Sequence, residues 1–345
     1  MGRRGLRDTI ADIAMATLPA RLQNAKERKK FRRRLLRWYR CNRRDLPWRG
    51  ESDPYRIWVS EIMLQQTRIA VVEERYKRFL RRFPSIEKLA RAPLSAVLAE
   101  WSGLGYYRRA RYLHQAAREL RKGRGALPNS AAELRLLPSI GRYTAAAIAS
   151  IAFHQPEAVV DGNVERVLLR LSAPGKPEYW EAAQALLDPA HPGDFNQAMM
   201  ELGATVCLPR QPKCDICPLA GLCGRKLRGR VAADQPRKSA RRRRELWYGI
   251  VLRKGRVLLA QRSAAASLMP GMWELPTCRS GKSADFRVRH SITNTDYQVF
   301  ATLQKRRAVP KSLGGKWHNP ARLRNVPITG LARKILKRAG ILGNQ

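Results

Sequence analysis

Four of the six cysteines in the chain lie close together in the segment VCLPRQPKCDICPLAGLC, residues 206–223. Six, two and five residues separate them. Thiolates are ligands for zinc and for iron–sulfur clusters, and four of them complete either kind of site. Zinc sites usually have two close cysteine pairs or add histidine, whereas this segment has one C-x-x-C pair and no histidine. The spacing therefore predicts a metal loop and leaves both metals open.

Two carboxylates lie in segments that suit acid–base chemistry. Glu61 is in PYRIWVSEIMLQQT among apolar residues, where partial burial raises a carboxyl pKa and keeps the group protonated near neutral pH. Asp161 is in VVDGNVERV, after two valines and directly before a predicted helix. An aspartate at such a position is often an N-cap, which is the alternative to a catalytic role. The pair fits a mechanism that uses one protonated and one ionised carboxyl group.

A glycine turn in LPSIGRYTAAAIAS, residues 137–150, separates two helical patterns. We expect Gly141 to take a backbone conformation in this tight turn that other residues resist. The next helix would offer free N–H groups and the positive end of its dipole to a phosphate. The alternative is an ordinary turn between two helices.

Helices must position these residues, because residues 31 to about 202 show helical periodicity broken by short proline and glycine segments. One apolar face predicts a helix that ends before Pro84. The residues of this face are Ile62, Ile69, Val72, Tyr76 and Phe79. Further helices are predicted over 85–100, 108–121, 131–137, 142–153 and 163–171.

The segment after residue 245 has a different pattern. LWYGIVLRKGRVLLAQR predicts a β-hairpin around a Lys-Gly turn, DYQVFATLQK a strand, and ITGLARKILKRAG a closing helix. The predicted fold class is a mainly α-helical domain followed by a small α/β domain. The predicted segments are a basic flexible tail over 1–30, the helical domain over 31–225, a basic linker over 226–245 and the small domain over 246–345.

The charge balance indicates the kind of partner. The chain has 345 residues, with 68 Lys and Arg against 27 Asp and Glu, and a formal net charge of +41. An excess this large, spread along the chain, predicts binding to nucleic acid. Since the sequence has no 18-residue apolar run and no secretory pattern at its start, we expect no membrane span, no export and reduced cysteines.

Five segments together resemble the adenine DNA glycosylase (MutY) family of the endonuclease III superfamily. They are LPWRGESDPYRIWVSEIMLQQT, WSGLGYYRRAR, GRYTA, VDGNVERV and the cysteine loop. The resemblance implies a helix-hairpin-helix fold and a [4Fe–4S] cluster. It also implies removal of adenine that is mispaired with 8-oxoguanine or guanine. The implied cluster ligands are Cys207, Cys214, Cys217 and Cys223.

The resemblance assigns catalytic roles by position. Glu61 would protonate the adenine, Asp161 would stabilise the sugar cation, and Asn163 would help to position Asp161. Tyr143 occupies the place of the lysine nucleophile of endonuclease III, so no Schiff base and no lyase step are expected. The family hairpin usually reads L-P-G-x-G, and here Ser139 replaces its first glycine.

Contacts to the DNA are implied in the same way. Gln66 and Tyr106 would fill the gap that the flipped adenine leaves, beside Leu104, and the Gly141 turn would bind the DNA backbone. An ordinary glycine-rich loop between helices is the alternative for Leu104 and Tyr106. The implied adenine pocket consists of Trp48, Arg49, Leu64 and Glu201.

The C-terminal domain resembles a Nudix domain that has lost its metal-binding glutamates, since TCRSGKSADF follows the G-x-W-E-L-P turn. Pyrophosphate hydrolysis is therefore not expected. In the adenine glycosylase family this domain recognises 8-oxoguanine with a loop that often reads Phe-Ser-His. The matching residues here are His290, Ser291 and Ile292, which makes Ser291 and His290 the implied contacts. A simple strand end is the alternative.

The resemblance thus implies a monofunctional, monomeric adenine DNA glycosylase with a [4Fe–4S] cluster, acting on double-stranded DNA in a bacterial type of cytoplasm and associated with the nucleoid. Two alternatives stand beside it. The first is a pyrimidine glycosylase and lyase like endonuclease III, which Tyr143 and the second domain disfavour. The other is a non-catalytic iron–sulfur protein that binds DNA, which the presence of both Glu61 and Asp161 disfavours.

Overall fold

The computed structural model describes residues 18, 20–123, 125–172, 178–224, 241–278, 283–292, 294–304 and 315–343. Residues 1–17 of the predicted tail and residues 226–240 of the predicted linker lie outside this range. Within the described part of the tail, helices begin at Ala20, and Leu18 and Leu22 are buried. Because these two leucines anchor it, the helical region starts before residue 31.

The described residues form helices and two small sheets. The helices are α1 (Ala20–Gln23), α2 (Ala25–Asn42), α3 (Pro54–Leu64), α4 (Ile69–Arg82), α5 (Ile86–Arg91), α6 (Leu94–Glu100), α7 (Arg108–Lys122), α8 (Ala131–Leu134), α9 (Arg142–Phe153), α10 (Gly162–Leu171), α11 (Tyr179–Leu186), α12 (Pro192–Thr205) and α13 (Gly330–Arg338). The strands are β1 (Arg242–Ile250), β2 (Leu252–Arg253), β3 (Arg256–Gln261), β4 (Trp273–Glu274), β5 (Phe286–Ile292), β6 (Thr295–Leu303) and β7 (Gly315–His318). No helix within these ranges is both long and apolar enough to cross a membrane.

Most of the predicted helices are confirmed, and two are corrected. The predictions over 108–121, 142–153 and 163–171 correspond to α7, α9 and α10. The single helix predicted through the apolar face of residues 62–79 is wrong, because the chain breaks between α3 and α4. The pattern over 85–100 forms two helices, α5 and α6, because Pro93 has no N–H group with which to continue the first one.

The chain divides into two compact units, the first of which comprises Met1–Ile62 and Arg124–Pro236. Its largest core packs α2, α10, α11 and α12 together, with Phe31 and Phe195 among its fully buried side chains. The centroids of these two rings lie 6.1 Å apart. This core fixes α10 and α12, which position several of the predicted site residues.

The second unit comprises Met63–Gly123 and Arg237–Gln345. In one sheet the order is β1-β6-β5, with β1 parallel to β6; in the other, β3 pairs with β2, β4 and β7. The predicted hairpin is confirmed as β2 and β3, joined by Lys254 and Gly255, which both have positive φ. The predicted strand and closing helix are confirmed as β6 and α13, so the C-terminal part is small and mixed α/β.

Candidate active site

Glu61 lies near the C-terminal end of α3 and is 6% exposed. Burial raises the pKa of its carboxyl group above the usual value. The Tyr143 hydroxyl and the Arg49 charge offset part of this shift, and the Asp161 charge adds to it. Among the described residues, the buried Oε2 atom of Glu61 has no hydrogen-bond partner. The protonated form of Glu61 is therefore favoured up to a higher pH than in an exposed glutamate.

Tyr143 lies in the first turn of α9. Burial, followed by the charges of Glu61 and Asp161, raises its pKa well above the usual tyrosine range. Its hydroxyl donates to the Sδ atom of Met200, 3.3 Å away. The residue at this position is therefore a neutral phenol, which has no amine with which to form a Schiff base.

Asp161 is the N-cap of α10, as the alternative interpretation of the sequence predicts. Its Oδ1 atom accepts hydrogen bonds from the backbone N–H groups of Asn163 and Val164, at 2.9 and 2.8 Å. Its Oδ2 atom accepts one from the Asn163 side chain at 2.9 Å. Both oxygens thus act as acceptors, and the carboxylate is held in one orientation at the positive end of the helix dipole.

Asn163 is itself held by Arg166, one turn further along α10. The Arg166 guanidinium donates to Asn163 Oδ1 at 2.8 Å and to the Gly203 carbonyl at 2.7 Å, and its Nε donates to the Cys207 carbonyl at 2.8 Å. A Cβ atom on Gly203 would lie 2.6 Å from Asn163 Cβ, so α10 and α12 meet at backbone distance here. The position of Asp161 therefore depends on the helix pair and on the start of the cysteine loop.

The predicted pocket residues Arg49 and Glu201 are in contact. Glu201 is fully buried and forms salt bridges with Arg49, at 2.8 Å, and with Arg44. Burial alone raises the pKa of Glu201, but the Arg44 hydrogen bond and both arginine charges outweigh it and lower the pKa. Arg49 also donates to the Gln197 side chain at 2.6 Å. Trp48 is buried in the same unit, whereas Leu64 belongs to the second unit.

The hairpin between α8 and α9 differs from the expectation at Gly141. This glycine has φ −81° and ψ 177°, and a Cβ atom there would meet nothing within 4 Å, so the prediction of a special backbone conformation is wrong. Ser139 takes the left-handed conformation instead, with φ 62°, in a turn closed by Ile140 N–H and the Leu137 carbonyl at 3.2 Å. Gly141, the N-cap of α9, makes no side-chain cap hydrogen bond, and the N-terminus of a helix favours an anion.

The cysteine loop follows α12, and its four cysteines are half-buried and form no disulfide. Burial, together with the charges of the three other thiols nearby, raises the pKa of Cys217 to about 11. Arg170, which is buried, donates to Cys207 Sγ at 3.2 Å and to the Leu208 and Pro209 carbonyls. A buried group of four neighbouring thiols with an N–H donor to sulfur fits a cubane cluster, which bonds each thiolate to a different iron. Within the described residues, no three His, Cys, Asp or Glu side chains are placed to hold one metal ion.

Two loops of the second unit carry the predicted wedge residues. Gln66 and Tyr106 both have positive φ, 54° and 45°, and the Tyr106 side chain is 47% exposed. Leu104 is 4% exposed, which makes it a packing residue of its loop rather than a surface residue. Two non-glycine residues in the left-handed region mark backbone that long-range contacts hold in place.

Arg109 supplies those contacts. It is 7% exposed, and its guanidinium lies 5.5 Å from the centres of both the Trp101 and Tyr106 rings. The Arg109 guanidinium donates to the backbone carbonyls of Met63 and Gln65 at the end of α3. A continuous helix would use these carbonyls, so their bonds to Arg109 explain why α3 ends here. Burial lowers its pKa to about 10, so it stays charged at neutral pH. Its hydrogen-bond acceptors are the carbonyls of Met63, Gln65, Leu104 and Gly105 and the Thr67 hydroxyl.

The predicted 8-oxoguanine contacts lie in β5. Ser291 is exposed and pairs with Asp296 on β6, and its hydroxyl donates to Asp296 Oδ1 at 2.6 Å. Asp296 also accepts from Arg241 at 2.8 Å. His290 is half-buried, and burial followed by the Lys334 charge lowers its pKa. Ser291 and His290 alternate across the strand, so their side chains leave opposite faces of the sheet.

Arg44, Arg109 and Arg166 position functional residues, yet the sequence analysis missed all three. Arg166 had a detectable signal, because it lies three residues after Asn163 on one helix face. The partners of Arg44 and Arg109 lie up to 157 and 46 residues away. Since the chain contains 68 Lys and Arg, no local pattern distinguishes these two from the rest.

Family models match two stretches of this chain. Residues 59–192 match the HhH-GPD superfamily of base excision DNA repair proteins, a range that includes Glu61, Tyr143 and Asp161. Residues 207–223 match the iron–sulfur binding domain of endonuclease III. The matched range begins at the first and ends at the last of the four clustered cysteines. The predicted iron–sulfur loop is confirmed by this match, and the alternative of a zinc loop is set aside.

Several curated relatives carry the name adenine DNA glycosylase. The protein from Rattus norvegicus is 50% identical over 211 residues, 56% of this chain and 41% of its own length. The protein from Arabidopsis thaliana is 38% identical over 78% of this chain and 50% of its own length. The protein from Buchnera aphidicola subsp. Baizongia pistaciae is 37% identical over 72% of each chain. The chain spans half or less of the rat and Arabidopsis relatives.

Solved structures agree on the fold. A thermostable thymine-DNA glycosylase has a TM-score of 0.54 and 32% identity, and the match covers 59% of this chain and 98% of that one. An endonuclease III in a non-covalent DNA complex has a TM-score of 0.51 and 24% identity, over 59% of this chain and 97% of its own. The predicted helix-hairpin-helix glycosylase fold is therefore confirmed.

We predict that Arg109→Lys loosens both wedge loops. Lysine keeps the charge but loses the planar fork, so at least two buried carbonyl groups lose their donor, at about 1 kcal/mol each. Urea unfolding should show a loss of about 2 kcal/mol, and amide hydrogen exchange should rise at residues 63–67 and 103–106. Arg108→Lys, on the exposed neighbour that bonds Tyr112, is the matched control and should change neither quantity. Equal behaviour of the two variants would rule out this role for Arg109.

Proposed function

Because the chain belongs to the adenine DNA glycosylase family, we propose that it hydrolyses the N-glycosidic bond of adenine mispaired with 8-oxoguanine or guanine in double-stranded DNA. The observation that supports this most directly is the contrast between two carboxyl groups in the first unit. Glu61 is buried and favours its protonated form, while Asp161 accepts hydrogen bonds on both oxygens. This is the division of roles between general acid and cation stabiliser.

Base removal begins with proton transfer. Adenine is a poor leaving group as an anion, and protonation of its N7 atom makes it a neutral one. Glu61 supplies that proton from a site in which burial raises its pKa and so favours the protonated form. The neutral Tyr143 phenol beside it lowers this pKa in part and takes no proton itself.

Asp161 acts on the sugar. As the glycosidic bond breaks, positive charge develops on the deoxyribose, and an ionised Asp161 stabilises it at short range. Asn163 and Arg166 hold the carboxylate in its orientation before the reaction starts. Every 1.36 kcal/mol of such stabilisation is tenfold in rate.

Several predicted residues bind the DNA in this proposal. The uncapped N-terminus of α9 binds a backbone phosphate, and Gln66 and Tyr106 fill the gap left by the extruded adenine. Extrusion costs a few kcal/mol, which the exposed Tyr106 ring recovers in part by stacking on the remaining bases. Within the first unit, Trp48, Arg49 and Glu201 line the adenine pocket in this proposal.

Ser291 distinguishes 8-oxoguanine from guanine. Guanine presents N7 as an acceptor, whereas 8-oxoguanine carries hydrogen there and presents a donor. Because the Ser291 hydroxyl donates its own proton to Asp296, its oxygen is oriented to accept, and it favours the oxidised base. His290, on the opposite face of β5, supports the strand in this proposal rather than contacting the base. We also propose that the C-terminal domain is Nudix-like and spans residues 246–345. The glycosylase domain in this proposal spans residues 31–225.

The four cysteines hold the iron–sulfur cluster, which we propose to be of the [4Fe–4S] type. When bound, the cluster would cross-link the loop through four iron–thiolate bonds. The loop fixes the Cys207 carbonyl, to which Arg166 donates, and so supports the orientation of Asn163 and Asp161. We also propose that the protein acts as a monomer in the bacterial cytoplasm, associated with the nucleoid.

We predict that Glu61→Gln abolishes adenine release, because glutamine keeps the shape of the side chain but has no proton to transfer. It should also stabilise the fold. The pKa of Glu61 is raised in the folded state, so wild type loses stability as the pH rises from the ordinary glutamate pKa to the folded pKa. The advantage of Glu61→Gln should therefore grow across that window and then level off. Urea unfolding at several pH values measures it.

Glu74→Gln, on a glutamate whose side chain is 71% exposed, is the control and should leave both adenine release and this pH dependence unchanged. Adenine release at the wild-type rate by Glu61→Gln would remove Glu61 from the proton transfer. A stability difference that does not depend on pH would remove the raised pKa from the account.

We predict that the wild-type protein leaves the DNA strand intact after it releases adenine. The position of a lyase nucleophile holds Tyr143, so the abasic strand should break only after treatment with alkali. Borohydride should trap no protein–DNA adduct. Strand breakage without alkali, together with a trapped adduct, would favour the alternative of a glycosylase with lyase activity like endonuclease III.

A further inference from the structure

A cavity of about 450 Å³ lies where the edge strand β5 meets the C-terminal half of α13. The residues that line it are Arg287, Val288, Arg289, Lys334, Lys337 and Arg338. All but the valine are cationic. The proposed activity uses none of these five side chains.

The backbone brings the five cations together from two elements. Arg287 and Arg289 alternate with the buried Val288 on β5, so they leave the same face of the sheet as Ser291. Lys334, Lys337 and Arg338 follow the spacing i, i+3 and i+4, which is one face of α13.

Packing fixes this arrangement. The opposite face of α13 is buried in the core of the C-terminal part through Leu331, Ile335 and Leu336, so the basic face turns outward. The Lys334 ammonium also donates to the Arg289 carbonyl at 2.6 Å, which ties the helix to the edge of the sheet. The cavity wall is therefore part of the folded framework.

Five cations line this edge of the second unit, with Arg287 and Arg289 on the sheet face of Ser291 and the other three on α13, and together they suit a ligand with several negative charges. The potential already acts on a neighbour, because the Lys334 charge, after burial, lowers the pKa of His290. An arginine guanidinium can donate two parallel hydrogen bonds to phosphate oxygens. Both arginines lie on a strand, which fixes their positions better than a loop would.

We infer that this cavity binds the phosphate backbone of duplex DNA next to the base that Ser291 recognises. The inference rests on the proposed function and adds a contact to it. At about 3.3 Å per residue along a strand, Arg289 and Arg287 lie roughly 7 and 13 Å from Ser291. This spacing places them on the backbone that flanks a recognised base. The contact carries no sequence information and serves to hold β5 in register on the DNA.

The test is the salt dependence of DNA binding by the full chain. Arg289→Gln combined with Arg338→Gln removes one cation from each wall, both on exposed side chains. Arg253→Gln combined with Arg256→Gln removes two exposed cations from the β2–β3 hairpin and is the matched control. Affinity is measured by fluorescence anisotropy over a series of KCl concentrations, with an A:8-oxoguanine duplex and with a fully paired duplex. Thermal unfolding checks that both proteins are folded.

Each lost phosphate contact lowers the slope of log affinity against log salt by about 0.9. We expect the cavity variant to lose roughly 1–2 units of slope relative to the control. Its affinity should fall by the same factor on both duplexes, so its preference for the A:8-oxoguanine duplex over the fully paired duplex should not change. A fall on the A:8-oxoguanine duplex alone would contradict a backbone contact.

Equal slopes for the cavity variant and the control would overturn the inference. So would saturable binding of inorganic pyrophosphate that the cavity variant loses while its DNA slope stays normal, since that marks a site for free phosphate compounds. Charges on an edge strand also oppose strand addition, so self-association of the variant without a change in slope would assign them that role instead. If wild type releases no adenine but the slopes differ as expected, the proposed function fails and the backbone contact stands.

Discussion

The proposed active site depends on one constraint, which is that the Glu61 carboxyl group must keep its proton inside a folded unit that also holds the Asp161 carboxylate. Burial of Glu61 provides the first condition, and the N-terminus of α10 provides the second. In free solution the two carboxyl groups would ionise over nearly the same pH range. A rigid fold separates them, because it removes water from Glu61 and directs three N–H donors at Asp161.

Much of the first unit maintains this contrast. Backbone contact at Gly203 lets α12 approach α10 closely enough for Arg166 to bridge the two helices. The same arginine reaches the first cysteine of the iron–sulfur loop, so that loop and the Asp161 carboxylate share one hydrogen-bond chain. The fully buried Glu201, neutralised by Arg44 and Arg49, fixes the other side of α12. Loss of any one of these contacts would act on Asp161 through its orientation rather than through its charge.

The sequence predicted the chemistry better than the backbone details. Glu61, Asp161 and the cysteine spacing are local signals, since each depends on a few neighbouring residues. The break between α3 and α4 is not local, because Arg109, up to 46 residues away, takes the carbonyls that a continuous helix would use. The hairpin before α9 was also predicted at the wrong residue. Its turn places Ser139, not Gly141, in the left-handed conformation. Burial of Leu104 depends on tertiary packing that no periodicity shows.

The protonation state of Glu61 tests the central claim most directly. The difference between the infrared spectra of wild type and Glu61→Gln isolates the carboxyl group of this residue. The account predicts the carbonyl band of a protonated acid at neutral pH, replaced by carboxylate bands only as the pH rises above the ordinary glutamate range. Carboxylate bands at neutral pH, with the titration of an exposed glutamate, would contradict it.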